Sequence, residues 1–256
     1  MSIHSVLSAA SRRWRFALGA PIAAAMLAAI PAAMVPAPAA AQTYTSIIEP
    51  GSPEIAQTIC ARLRTLDLPN ARVLPIAGGR LAVETNTADH PNINGATLAA
   101  VLTQPGMFGL HAASDRPVEG LEERRPAHAD AASVFVAPDA FVTNADLAGV
   151  QAVANQTDRA VVVVLSDQGS QRLQGSSATL VGRHLAVVVD DVVWDLQAVD
   201  APIADGRLRF SASGTDLGPV GLVAVLAGGP LPDGLHIVGS QLGSEDPGAV
   251  PTCTSN

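Results

Sequence analysis

Two short apolar runs separated by an acidic pair are the most regular feature of the hydrophobic pattern. The runs are Leu185–Val189 and Val192–Trp194, and the pair is Asp-Asp at 190–191. Apolar runs of this length around a two-residue break are typical of a β-hairpin. Downstream, Arg207–Ser211 alternates polar and apolar positions, which predicts a half-buried strand. Apolar positions then recur at helical spacing over Leu217–Leu226, and the Gly-Gly-Pro sequence that follows predicts the end of a helix.

The N-terminal half of the chain predicts four strands and two helices. Ser52 followed by Pro53 predicts a helix start, because serine caps free N–H groups and proline fits the first helical position. A second helix is predicted to begin at Asn92 or Asn94. The order strand, helix, strand, strand, helix, strand is the ferredoxin-like pattern. The predicted strands cover 44–48, 71–76, 80–85 and 107–110, and the first helix ends near Asp67.

Segment 115–132 interrupts this regular pattern. It is rich in charged residues and proline, carries the run Glu-Glu-Arg-Arg at 122–125, and has almost no apolar periodicity. We therefore expect a solvated linker. Beyond it the pattern predicts strands over 134–136, 160–165 and 235–238, a loop or helix over 142–154, a helix from about Ser170, and a mobile tail over 239–256.

The first 41 residues have the features of an export signal. Three arginines lie between positions 12 and 15, Phe16–Val35 is nearly all apolar, and Ala39–Ala41 offers small residues for cleavage before Gln42. The alternative is an uncleaved membrane anchor, since about 20 apolar residues can span a bilayer. No later apolar stretch reaches that length. The expected location is the periplasm, with secretion as a further outcome.

Charge and motif content argue against several functional classes. The formal net charge is −8 and the chain contains no lysine, so its surface should repel nucleic acid and anionic lipids. The sequence has no Gly-x-Ser-x-Gly elbow, Walker loop, Gly-x-Gly-x-x-Gly or His-Glu-x-x-His motif. Its histidines are scattered and have no neighbouring cysteine. We therefore predict no enzymatic activity, no cofactor and no metal site.

The two cysteines, Cys60 and Cys253, predict a disulfide. An even and minimal cysteine count in an exported protein favours a bridge, because the compartment is oxidising. The alternative is two free, buried thiols.

The passage 179–232 resembles the first large periplasmic domain of the SecD/SecDF protein-export family. The family has an Arg-x-Leu-Ala-apolar-Asp-Gly hairpin, a Pro-apolar-x-x-Gly turn, a strand, and a helix ending in Gly-Ala-Leu-Pro. Asp191 departs from the family glycine, and 195–197 departs from a Ser-Ala-Pro-like step. The matching residues are Arg183, Leu185, Ala186, Asp190, Pro202, Ile203, Gly206, Leu222, Leu226, Gly228, Leu231 and Pro232.

The resemblance implies an α+β fold in which a ferredoxin-like base subdomain carries an inserted α+β head subdomain. The base would comprise 42–114 and a final strand within 233–256, the linker 115–132, and the head 133–232. Family members carry several membrane helices, whereas this chain resembles only the periplasmic domain.

The resemblance also implies non-catalytic binding of extended polypeptide or of translocon and envelope proteins. The hairpin and the strand 207–211 are expected to form one sheet face or edge to which a polypeptide could add. Alternatives are a small periplasmic hydrolase with a dispersed site, or a structural envelope protein. Trp194 is either a binding residue or a core anchor. The candidate binding surface is Arg183, His184, Asp190, Asp191, Trp194, Arg207 and Arg209.

Overall fold

The computed structural model of the protein describes residues 43–68, 70–87, 90, 93–128, 131–154, 159–212, 215–242 and 253. The predicted signal segment and most of the predicted tail lie outside these residues. The elements are, in order, β1 (Thr43–Glu49), α1 (Pro53–Thr65), β2 (Arg72–Ile76), β3 (Arg80–Asn86), α2 (Gly95–Thr103), β4 (Phe108–Ser114), β5 (Glu122–Pro126), β6 (Val134–Val136), β7 (Val142–Thr143), a 3-10 turn (Asn144–Asp146), β8 (Leu147–Ala154), β9 (Arg159–Leu165), α3 (Asp167–Thr179), β10 (His184–Val189), β11 (Val192–Ala198), β12 (Arg207–Ser211), α4 (Gly218–Gly228) and β13 (His236–Leu242).

Side-chain caps fix where three of the helices begin. Ser52 Oγ accepts a hydrogen bond from Ile55 N at 3.2 Å, and Asn94 Oδ1 accepts one from Thr97 N at 2.9 Å. Ser166 caps α3 in the same way, so that helix begins three residues before the predicted start. Each cap satisfies an N–H group that has no partner within its helix.

The first sheet has four strands in the order β13-β1-β3-β2, and all three pairings are antiparallel. α1 and α4 pack against each other, and both contribute fully buried residues to the main core. β4 was expected to join this sheet and does not, so that part of the predicted base is wrong. It pairs instead with β10, which places Leu110 opposite Val187 and buries both side chains.

The second sheet closes on itself. β10 pairs with β11 and with β4, while β5 links β11 to β6 and β6 pairs with β4. These five strands form a ring, and β7 extends it beside β4. The predicted hairpin, β10–β11, is therefore flanked by β4 along β10 and by β5 at Val192 and Val193 of β11. The ring strands supply a small second core of Ala113, Val134, Val136, Ala186, Val188 and Val193.

The third sheet has three antiparallel strands in the order β12-β9-β8. Two expectations are therefore wrong. The predicted hairpin and β12 lie in different sheets, and segment 142–154 contains β7 and β8 rather than a loop or a helix. The strand at β8 is imposed by its long pairing with β9, because strand formation depends strongly on the neighbouring strand.

Segment 115–132, predicted to be a solvated linker, contains β5. Residues 115–120 are exposed, and only then does the chain enter the ring between β11 and β6. The division into base, linker and head stays a prediction. Within the described residues, no helix is both long and apolar enough to cross a membrane.

Candidate binding surface

The turn between β10 and β11 is formed by two aspartates in the left-handed conformation. Their φ angles are 51° for Asp190 and 62° for Asp191. A two-residue hairpin turn with both residues at positive φ usually contains glycine, and aspartate is among the residues that tolerate this region. Asp191 is exposed and pairs with Arg124 of β5. The family's Asp-Gly turn is thus replaced without loss of the hairpin.

Asp190 fixes the start of β4. Its Oδ1 accepts a hydrogen bond from Met107 N at 2.7 Å, and its own N–H donates to Met107 O at 3.0 Å. The Oδ2 atom is buried and has no hydrogen-bond partner among the described residues. Burial raises the pKa of this carboxyl above its ordinary 3.8, against the opposing hydrogen bonds from Met107 and Gly106 and the nearby charge of Arg62.

Asp190→Asn should remove one contribution to stability that falls as pH rises. A pKa raised in the folded state means that the folded protein binds more protons than the unfolded chain just above pH 3.8, so stability falls as pH rises through that window. Asparagine cannot ionise but keeps an oxygen that accepts from Met107 N. Urea unfolding over a pH series should therefore show the free energy of unfolding of the variant increasing relative to that of the wild type as pH rises.

The matched control is Asp191→Asn, because Asp191 is exposed in the same turn. A constant offset between Asp190→Asn and the wild type across the series would contradict the expectation, since an offset alone reports packing rather than ionisation.

A cavity of about 540 Å³ opens beside this turn. The His111 ring lies in it and is largely buried; Nδ1 donates to Ala137 O at 2.8 Å, because a carbonyl can only accept. Burial lowers the pKa of His111, which favours the neutral ring. Gly109 makes room for this ring, since an added Cβ would lie 2.5 Å from Nε2. The wall also includes Met107, Asp190, Asp191 and Asp233.

Trp194 is a core residue that also borders a second cavity, of about 480 Å³. Its exposure is only 6%, which favours the core anchor over an exposed binding residue. The cavity wall is largely apolar, and it carries charge from Arg125, Asp190 and Asp216.

The seven predicted surface residues do not form one site. Arg183 precedes β10 and His184 is its first residue, whereas the two aspartates follow its last residue, a full strand length away. Arg207 and Arg209 are exposed on β12, in the third sheet. Gln197 of β11 donates to Arg209 O at 2.8 Å, which links that arginine to the end of the hairpin near His184.

The most buried charged residue was not among the predicted ones. Arg62 of α1 has no exposed surface, and its guanidinium donates to backbone carbonyls at the ends of α2 and α4. Gly228 permits this approach, because an added Cβ would lie 2.3 Å from Arg62 Cγ. The sequence did hold a signal: Arg62 follows Ile55 and Ile59 at helical spacing, on the apolar stripe of the helix.

The predicted disulfide between Cys60 and Cys253 is present, with the two Cα atoms 5.2 Å apart. Cys253 is buried, and its N–H donates to Ala71 O at 2.9 Å. Among the residues that the structure describes, no three His, Cys, Asp or Glu side chains are grouped to hold a metal ion.

Two solved structures are similar to this chain. "Crystal structure of SecDF in Super-membrane-facing form" is 17% identical with a TM-score of 0.59 over 78% of this chain, and the chain spans 30% of its length. "Structure and function of a membrane component SecDF that enhances protein export" is 18% identical with a TM-score of 0.54 over 76% of this chain, which spans 98% of its length. No curated protein matches the chain significantly.

Residues 120–233 match the family described as "SecDF, P1 head subdomain". The match covers the predicted head and also β5, which the sequence had placed in a linker. At these low identities the two structures show a shared fold of mixed helices and sheets. The resemblance to SecD and SecDF is thereby confirmed: residues 120–233 are similar to the SecDF P1 head subdomain, and the chain shares its α+β fold with SecDF structures.

Proposed function

We propose that the protein is an exported, non-catalytic binding protein of the periplasm that holds extended polypeptide in association with protein export. Its partners are polypeptide segments, or the translocon and envelope proteins that deliver them. The observation that carries the proposal is the three-stranded sheet of the head subdomain, β12-β9-β8, whose two outer strands, β12 and β8, each pair with one strand among the described residues. Open edges accept extended peptides through backbone hydrogen bonds, whatever the peptide sequence.

The disulfide supports the periplasmic part of the proposal. Cys60 and Cys253 are bridged, and disulfides persist in oxidising compartments such as the bacterial periplasm. The signal segment with cleavage before Gln42 agrees with this location and stays a prediction.

The cavity that holds His111 supports binding over hydrolysis. A dispersed hydrolase site would bring a histidine, a serine and an aspartate together. Described residues that line this cavity include three aspartates and Thr143 but no serine, and Nδ1 of the histidine already hydrogen-bonds Ala137 O. We therefore favour the binding protein over the small hydrolase.

We also propose that the first sheet, with α1 and α4, is a ferredoxin-like base. Its support is the strand order β13-β1-β3-β2 together with two helices packed against each other. β13 takes the position that the sequence had assigned to β4, so the intervening elements would be an insertion between β3 and α4.

Photocrosslinking tests the proposed function in the intact protein. Deleting 133–232 would remove α4, which packs against α1, and so would disturb the base as well. A benzophenone amino acid is instead placed at Gln151, exposed on β8, or at Glu54, exposed on α1. The probe is reduced and carboxymethylated α-lactalbumin, which stays unfolded. Crosslinks should form from position 151 and be at least about fivefold weaker from position 54.

Salt provides the second readout. Because the net charge is −8, binding of a basic unfolded probe should weaken between about 50 mM and 500 mM salt, whereas binding of the acidic carboxymethylated α-lactalbumin should not, since backbone pairing is screened little. Equal crosslinking from both positions, or none from either, would show that the head is not the binding element. Turnover of an ester, peptide or phosphate substrate that disappears in His111→Gln would move the assignment to the hydrolase.

A further inference from the structure

The direction of the backbone groups in the third sheet follows from two hydrogen bonds. Leu165 N donates to Gly206 O, and Ala212 N donates to Arg159 O, both at 2.9 Å. The backbone N–H and C=O groups of residues 159 and 165 of β9 therefore point towards β12. Because this direction alternates along a strand, the backbone groups of 160, 162 and 164 point towards β8. Their partners on β8 are 153, 151 and 149. The N–H and C=O groups of Val150 and Ala152 consequently point outwards.

The opposite edge of this sheet is already occupied. On β12 the outward positions are 207, 209 and 211, by the same alternation. Arg207 N donates to Asp205 Oδ1 at 3.2 Å, and Arg209 O accepts from Gln197 Nε2 at 2.8 Å. Two exposed arginines flank these groups. This edge is protected in the way that natural edge strands usually are.

The β8 edge lacks most of that protection. Its sequence, Leu-Ala-Gly-Val-Gln-Ala-Val-Ala, has no charged residue and no proline, and β9 is its only paired strand among the described residues. A register shift lies at its start, between Leu147 and Gly149, and leaves the remaining residues in regular pairing. α4 packs against β8, so the edge is held on a rigid layer. An added Cβ at Gly149 would meet only Val164, at 4.0 Å, which leaves room for a neighbouring side chain.

We propose that β8 is the docking edge, and that its occupant is an uncharged extended polypeptide segment with alternating apolar side chains, added as a fourth strand. This inference rests on the proposed function and names its cargo and contact. Only an extended backbone presents donors and acceptors at the spacing of Val150 and Ala152. An uncharged segment fits because β8 offers no charge of its own. A second copy of the chain is disfavoured, since each copy carries a net charge of −8.

Ala152→Pro tests the contact. Proline at 152 removes an outward N–H and no bond to β9, so the sheet should remain intact, as edge strands tolerate such prolines. The control is Ala152→Thr, which keeps the N–H group. The probe is a fluorescein-labelled decapeptide of alternating threonine and valine, and anisotropy measures its binding to the full-length protein purified after export. We expect binding about tenfold weaker in Ala152→Pro, unchanged in Ala152→Thr and in Arg207→Gln, and insensitive to salt.

A fully N-methylated copy of the peptide gives a readout that needs no protein variant. It cannot donate backbone hydrogen bonds and should bind at least about tenfold more weakly than the parent peptide. Equal binding of the two peptides, or unchanged binding in a folded Ala152→Pro variant, would show that β8 is not the docking edge. Either result leaves the proposed function in place. A wild-type dimer that Ala152→Pro dissociates overturns the assigned occupant. Failure of the wild type to bind both this peptide and unfolded α-lactalbumin overturns edge and function together.

Discussion

Replacing Arg62 by methionine should destabilise the folded protein by about 3–5 kcal/mol. The guanidinium makes five hydrogen bonds to four carbonyls, and it has no exposed surface. Methionine fills a similar volume but donates nothing, so these buried and partly buried carbonyls would lose their partner. The bonds run to Val101 O at 2.9 Å, Gln104 O at 2.6 Å, Pro105 O at 2.9 Å and Gly229 O at 3.1 and 2.7 Å.

The carbonyls explain why a charge is kept in the core. They belong to the ends of α2 and α4, where the last C=O groups have no partner within the helix and the dipole favours a cation. Burial lowers the pKa of Arg62 to about 10, which still leaves it charged at neutral pH. Arg62 therefore joins α1 to two other helices, and through Pro105 to the start of β4.

Urea unfolding followed by circular dichroism measures the effect. Arg64→Met is the matched control, because Arg64 is exposed on the same helix and, among the described residues, its side chain donates to Cys60 O at 3.3 Å; its change should stay within about 0.5 kcal/mol. Arg62→Lys keeps the charge but not the planar fork, so a loss of about 1–3 kcal/mol is expected. A methionine variant as stable as the control would show that the carbonyls find other partners.

The order of elements could be predicted because its signals are local. Ser52 with Pro53 and Asn94 mark helix starts by chemistry that needs no distant partner. The apolar runs around Asp190 fix the hairpin in the same way. β8 carried no such signal, since its small apolar residues lack strict alternation, and only pairing with β9 makes it a strand.

The sheet membership of β4 was decided by long-range pairing. The local pattern correctly gave a strand after α2, but its partner, β10, lies more than 70 residues further along the chain. The residues of the candidate surface lie apart for a related reason. Arg183 and Asp190 are close in sequence, yet a six-residue strand separates them, and each residue of a strand adds about 3.3 Å.

Removing the disulfide should cost up to about 5 kcal/mol of unfolding free energy. The bridge joins residues 193 positions apart, and the chain-entropy account assigns the largest stabilisation to the longest loops. The comparison is the wild type with and without reductant against the double variant Cys60→Ala with Cys253→Ala. Chemical unfolding should show reduced wild type and double variant with similar midpoints, both below that of the oxidised protein.

The native contacts of Cys253 decide whether this entropy is realised. A cysteine on a loose tail can pair without stabilising the fold, because the folded state then gains little order from the bridge. Here Cys253 is 5% exposed, lies in the main core, and donates its N–H to Ala71 O just before β2. Cys253 is therefore held in place where it meets α1. The double variant also serves as the reductant control, since its own midpoint should not move when dithiothreitol is added. If reduction leaves the wild-type midpoint unchanged, the hydrogen bond to Ala71 O holds Cys253 without the bridge, and the stabilisation assigned to loop closure is absent.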